Sequence, residues 1–253
     1  IKALSAGFVW TFDSECPFKA WLASPWNPER ESEHARHFDI GTPAHLAVLE
    51  PDVLGERVVL HDFDTYHTKE SREIRDAAYA AGVTPLKPAE WETVTGIQRA
   101  IRDNQTAMKL FTRGAAEASL TWEWDGMTCK ARPDYLTAKY VLDLKTANTC
   151  NPRAISRKAA TEGWHVRAAW YMAGVKEVTG TLPDKYLFVV VEKDAPHLIE
   201  IFEMDQRALM YGDQIIMRTL KRTAECFRAN HWPSYGDGAI KTIAIPSWAE
   251  FER

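Results

Sequence analysis

The chain has 253 residues, a net charge of −4, 45% hydrophobic and 26% charged residues. That is an ordinary globular composition, long enough to bury a sizeable core. No apolar run reaches the length of a membrane span, and "IKALSAGFVW" lacks a signal-peptide pattern, so a cytoplasmic protein without a membrane partner is expected.

The first third reads as helical: Ser5 to Leu22, Thr42 to Glu50 after Gly41, then 69–81, 88–102 and 104–112. A β-rich block follows, "SLTWEWDGMTCKARPDYLTAKYVLDLKTA", whose short segments are punctuated by Asp125-Gly126 and by "TAK" at 137–139. "NPRAISRKAATEGWHVRAAWYMAGVKEV" has alanines and aromatics at helical spacing. "KYLFVVVEK" reads as a central strand paired with "HLIEIFEM", and a long helix runs from about Asp205 to Ala229. With no repeat and no Gly/Ser linker, one domain over 1–253 is expected, with a helical part over 1–115 and a sheet with helices over 116–253. The fold class is mixed α/β (α+β) with a central sheet. The four cysteines, Cys16, Cys129, Cys150 and Cys226, form no C-x-x-C pair, against a zinc ribbon or a disulfide framework. Trp10, Trp21 and Trp26 read as core or interface aromatics.

Residues 131–147, "ARPDYLTAKYVLDLKTA", place Asp134, Asp143 and Lys145 where a buried hairpin calls for Val and Leu. Buried polar groups need partners. In a strand, residues two apart share a face, so Asp143 and Lys145 point together. Asp134 reaches the same spot if its strand pairs back around Thr137 to Lys139. Two carboxylates that close repel unless a cation lies between them, and oxygen ligands select Mg²⁺, with Mn²⁺ as substitute. The Leu144 carbonyl is a further candidate ligand. A surface hairpin with an exposed salt bridge is the plainer alternative.

"RPDYL…VLDLKT" resembles the PD-(D/E)xK nuclease motif, and its flanks resemble the exonuclease VIII (RecE-type) branch, relatives of lambda exonuclease. "GTPAHLAVLEPD" is similar to that branch's helix carrying a motif histidine, here His45. "GAAEASLTWEWDGMTCKARPDYL" resembles a strand run with an upstream acid, here Glu117, and "GWHVRAAWYMAG" resembles the following helix. The resemblance covers nearly the whole chain. It implies a restriction-endonuclease-like mixed sheet flanked by helices, and a Mg²⁺-dependent 5′→3′ exonuclease on linear double-stranded DNA. Such an enzyme leaves 3′ tails for phage-type recombination. One or two metals would sit on Asp134, Asp143, His45 and Leu144, with Lys145 positioning the nucleophile and Glu117 assisting. A ring-shaped homo-oligomer (trimer or tetramer) and a single-strand annealing protein as partner are implied too.

One position departs: Arg167 stands where that branch usually carries Gln, in a pattern ending at Tyr171. Arginine can grip a phosphate, or can pair on the surface with Glu162 or Glu177. Arg153, Arg157 and Lys158 either track a phosphate backbone or form a solvated helix face. Lys19 and Arg30 are candidates for reading a 5′ phosphate. The rival readings are a nuclease-fold DNA-binding module with weakened catalysis and a PD-(D/E)xK endonuclease. Iron–sulfur relatives need a late cysteine trio, and only Cys226 lies late.

Overall fold

The computed structural model describes residues 1–30 and 40–246. The opening segment forms two helices, α1 (Ala6–Ser14) and α2 (Pro17–Leu22), where the sequence predicts one. Ser5 caps α1 by accepting from the Phe8 N–H. The break falls at Cys16, whose extended backbone precedes Pro17, because the residue before a proline is pushed out of the helical region.

Next come α3 (Gly41–Leu49), a 3₁₀ turn over Pro51–Val53, α4 (Leu54–Arg57), β1 (Val58–Leu60), α5 (Lys69–Ala80), β2 (Thr84–Leu86), α6 (Pro88–Asp103) and α7 (Gln105–Leu110). The parallel β1–β2 pair corrects the all-helical expectation for the first third. Three-residue strands, one containing Pro85, are too short to show a period.

The rest of the chain comprises β3 (Ala115–Ala116), β4 (Leu120–Trp124), β5 (Met127–Ala131), β6 (Tyr135–Leu136), β7 (Tyr140–Ala147), α8 (Pro152–Thr161), α9 (Trp164–Thr179), β8 (Lys185–Glu192), β9 (Ile199–Glu203) and α10 (Gln206–Ala229). The central mixed sheet has the order β3-β6-β7-β8-β9, with β7 and β8 parallel and the other pairs antiparallel. Helices cover both faces. Val141, Tyr186 and Phe188 pack toward α1, α9 and α10, while Leu142, Leu144, Val189 and Val191 pack toward α3, α6 and α7. Covered on both sides, β7 and β8 read as near-continuous apolar runs, as parallel strands do.

The Asp125-Gly126 turn forms as expected, both residues at positive φ, and closes the β4–β5 hairpin. That hairpin is a sheet of its own, docked on α9: Trp122 lies 5.1 Å from Trp170, whose Nε1 donates to the Lys130 carbonyl at 2.8 Å. The four cysteines are free and buried.

The segment at 151–178, read as helical from its spacing, forms two helices that part at Gly163, whose φ is 67°. A Cβ at Gly163 would lie 2.3 Å from Trp10 Cδ2. Gly163→Ala is therefore expected to cost about 2–4 kcal/mol, from left-handed strain plus overpacking. The melting temperature should fall by roughly 5–10 °C. An unchanged melting temperature would mean that α8 and α9 meet differently.

Candidate active site

The site grows out of the register of β6 against β7. Tyr135 pairs with Leu142 and Leu136 with Val141, and the reversal at 137–139 is held by Thr137, whose Oγ1 accepts from the Tyr140 N–H at 2.9 Å. This brings Asp134 beside Asp143, as the spacing predicts. The Leu144 N–H donates to Asp134 Oδ2 at 2.7 Å, so it is the amide of Leu144 that is seen to engage an acid.

Asp143 is 2% exposed at the centre of the sheet. Its Oδ1 accepts from Lys145 Nζ at 2.6 Å and its Oδ2 from the Tyr186 hydroxyl at 3.3 Å, with Arg167 Nη1 3.9 Å away. Lys145 Nζ also lies 5.7 Å over the Trp164 ring. Burial and the Asp143 charge push Asp134 up to about 9. Burial would raise Asp143 as well, but Lys145, the Asp134 hydrogen bond and Arg167 outweigh it and hold Asp143 well below the usual carboxylate range.

His45, on α3, approaches from the other side, with Nδ1 3.6 Å from Asp134 Oδ2. Glu117 follows β3 at φ 51°, and its N–H donates to the Asp134 carbonyl at 3.0 Å. Its carboxylate pairs with Arg132 at 2.6 Å, while burial raises its pKa. One ligand atom each from His45, Glu117 and Asp134 lie within 4.8 Å of one another. One imidazole and two carboxylates at that spacing suit a hard divalent cation.

Arg167, half-exposed, turns toward this centre and not to Glu162: Glu162 takes Lys158 at 2.8 Å and the Trp164 Nε1–H at 3.0 Å, leaving Arg167 toward Asp143. A cleft of about 380 Å³ opens here, lined among others by His45, Lys145, Lys158, Trp164 and Arg167. A second hollow of about 470 Å³, lined by Lys130, Arg132, Arg167 and Tyr171 among others, lies on the far side of Arg167. Burial pushes the Tyr171 hydroxyl up to about 12.

Of the basic helix residues only Lys158 lines the cleft; Arg153 and Arg157 are exposed on α8. Lys19 pairs with Glu15 and lies 5.2 Å over Tyr235, and Arg30 is an exposed residue whose N–H donates to Asn27. Neither contact involves a residue of the centre. Sequence reasoning missed Tyr186, Arg132 and Trp164. Tyr186 had a signal of the kind that exposed Asp143: a hydroxyl inside an apolar central strand needs a partner.

Comparison with known proteins bears on the whole of this arrangement. The crystal structure of a "Putative exonuclease" from Eubacterium rectale superposes with a TM-score of 0.66 over 99% of this chain and 93% of that one. At 13% identity this is a likeness of fold. An alkaline exonuclease from Laribacter hongkongensis, 13% identical over 66% of this chain and 86% of that one, gives a TM-score of 0.34, too low to carry an inference. "Probable nucleoredoxin 1" of Arabidopsis thaliana is 28% identical over 149 residues, which span 58% of this chain and only 23% of that protein. The profile of the family described as "PDDEXK-like domain of unknown function (DUF3799)" matches residues 4–242, which include every residue of the centre, and the chain belongs to that family.

Proposed function

We propose that the protein is a metal-dependent deoxyribonuclease, a 5′→3′ exonuclease that degrades one strand of linear duplex DNA and leaves 3′ single-stranded tails for recombination by strand annealing. The observation that carries the reading is the cluster of Asp134, Asp143, Lys145, Glu117 and His45 beside a cleft that His45, Lys145 and Arg167 line. Mg²⁺ or Mn²⁺, one or two per chain, would be held by Asp134, Asp143, His45 and Glu117, with the Leu144 carbonyl as a further candidate ligand. A bound cation there supplies Lewis-acid polarisation of the phosphate and a water of lowered pKa.

The chain's own groups do the rest. Lys145 Nζ, fixed by Asp143, orients the attacking water and offsets charge on the phosphorane oxygens. Arg167 takes a non-bridging oxygen by charge-assisted hydrogen bonds. The water oxygen bonds to phosphorus as the P–O3′ bond breaks; the water's proton leaves to solvent and the departing 3′ oxygen takes one from solvent. Lys158 and the exposed Arg153 and Arg157 follow the backbone along α8, and Tyr171 supports Arg167. Lys19 and Arg30 remain candidates for the 5′ phosphate. The working unit is a single domain assembled into a ring, a trimer or tetramer, around DNA, with a single-strand annealing protein taking the exposed strand. The protein works in the cytoplasm. Among the described residues no helix is long and apolar enough to cross a membrane.

End-labelled linear duplex tests this reading. With Mg²⁺, label at the 5′ end should be released first while covalently closed circles persist. Equal cutting of circles would make the protein an endonuclease of the same fold, and binding without any cleavage would make it a DNA-binding module. Arg167→Ala is expected to lower turnover about 10- to 1000-fold, as the loss of one phosphate contact in a water-poor site. Wild-type turnover in that variant would remove Arg167 from the chemistry.

A further inference from the structure

We propose that this centre holds a single divalent cation, on His45, Glu117 and Asp134, and that the Arg167 guanidinium takes the place of a second one. The inference rests on the nuclease reading and deepens it. His45, Glu117 and Asp134 bring their ligand atoms within 4.8 Å of one another, and Asp143 is outside that group.

Asp143 is also occupied. Lys145 Nζ sits on Oδ1 at 2.6 Å, and Oδ2 faces the Tyr186 hydroxyl at 3.3 Å and Arg167 at 3.9 Å. A carboxylate that bridges two cations must turn both oxygens to them. Here Lys145 would have to leave Oδ1 and the Tyr186 hydroxyl Oδ2, and the added ion would stand beside the Arg167 charge.

Charge leads to the same place. Once a cation displaces the proton from Asp134, the carboxylates of Glu117, Asp134 and Asp143 are matched by Arg132, Lys145 and Arg167, with Arg132 2.6 Å from Glu117. One divalent ion therefore leaves an excess that a phosphodiester partly offsets, and a second would double it. Two-metal centres set their ions about 3.5–4 Å apart, where the repulsion is fourfold that of two unit charges. Arg167 cannot shed its proton to make room. It lines both hollows, so its fork can turn to a phosphate oxygen without leaving the centre. The developing negative charge that a second ion would meet is met by a bidentate guanidinium.

Metal counting decides it without any cleavage. The full chain, free of DNA, is titrated with Mn²⁺ while free ion is followed by electron paramagnetic resonance. Wild type and Arg167→Lys should each bind one ion. Arg167→Gln and Arg167→Met, which remove the charge at similar length, should each bind a second, weaker ion, and circular dichroism identifies any variant that fails to fold. Two ions on the wild type would overturn the inference and leave the nuclease reading standing. No bound ion on the wild type would overturn both. One ion on every folded variant would remove Arg167 from the explanation.

Discussion

Asp134→Asn is expected to abolish strand degradation, by about 10³-fold or more, while raising the melting temperature of the metal-free protein. The two effects have one cause. Asp134 is buried against Asp143 and holds its proton up to about 9, so the fold binds a proton that the unfolded chain, titrating near 3.8, has released. Because the native state binds more protons, metal-free stability falls as pH rises from about 4 to about 9. The penalty at pH 7 has an upper bound of roughly 4 kcal/mol. Asn removes it, since its amide can donate to Asp143 while its oxygen accepts from the Leu144 N–H. If half the bound is recovered, the melting temperature in chelator rises by about 4–8 °C at pH 7 and is unchanged below pH 4. Asp143→Asn should not stabilise, because it strips the 2.6 Å partner from Lys145. Asp143 acts in a separate window: its depressed pKa contributes stability present above about pH 4 and lost in acid. A variant at 134 that keeps a tenth of wild-type activity, or melts lower in chelator at pH 7, would sink this account.

Lys145→Ala should lower turnover about 10²- to 10⁴-fold with Mn²⁺ still bound, because the ammonium acts on water and phosphate and His45, Glu117 and Asp134 remain. Asp143 loses its closest counter-charge in the same change. Arg167 and Tyr186 still face it, so the stability cost should be about 2 kcal/mol, below the 3–5 typical of a severed buried pair. Arginine should not restore turnover, since Nζ is confined between Asp143 and the Trp164 ring and a planar fork has a different shape. Single-turnover cleavage alongside a Mn²⁺ titration separates the two roles. Loss of metal binding in Lys145→Ala would show that the lysine builds the site and does not act within it.

The convergence of Asp134, Asp143 and Lys145 was legible because it depends on two short-range rules, the two-residue period of a strand and the tight reversal at 137–139. Both acids and the lysine interrupt an apolar pattern, and an interruption is visible in one dimension. Arg132 and Trp164 interrupt nothing: each sits where its type is ordinary, and only the third dimension brings them to Glu117 and Lys145. The helix break at Gly163 was hidden for a related reason. Its cause is Trp10, distant in sequence, whose ring fills the space a side chain would need. The β1–β2 pair was invisible because α5 separates two strands of three residues each.

The parallel pairing of β7 with β8 sets the order in which the protein can become active. The crossover over residues 148–184 carries α8 and α9, and its closure is entropically expensive until the strands zip. Asp143 and Lys145 lie before that crossover, Arg167 within it and Tyr186 after it. A chain emerging from the ribosome thus holds the two carboxylates and Lys145 before it holds Arg167 and Tyr186. The complete set of groups around Asp143 is therefore in place only once the crossover has closed and β8 has paired with β7.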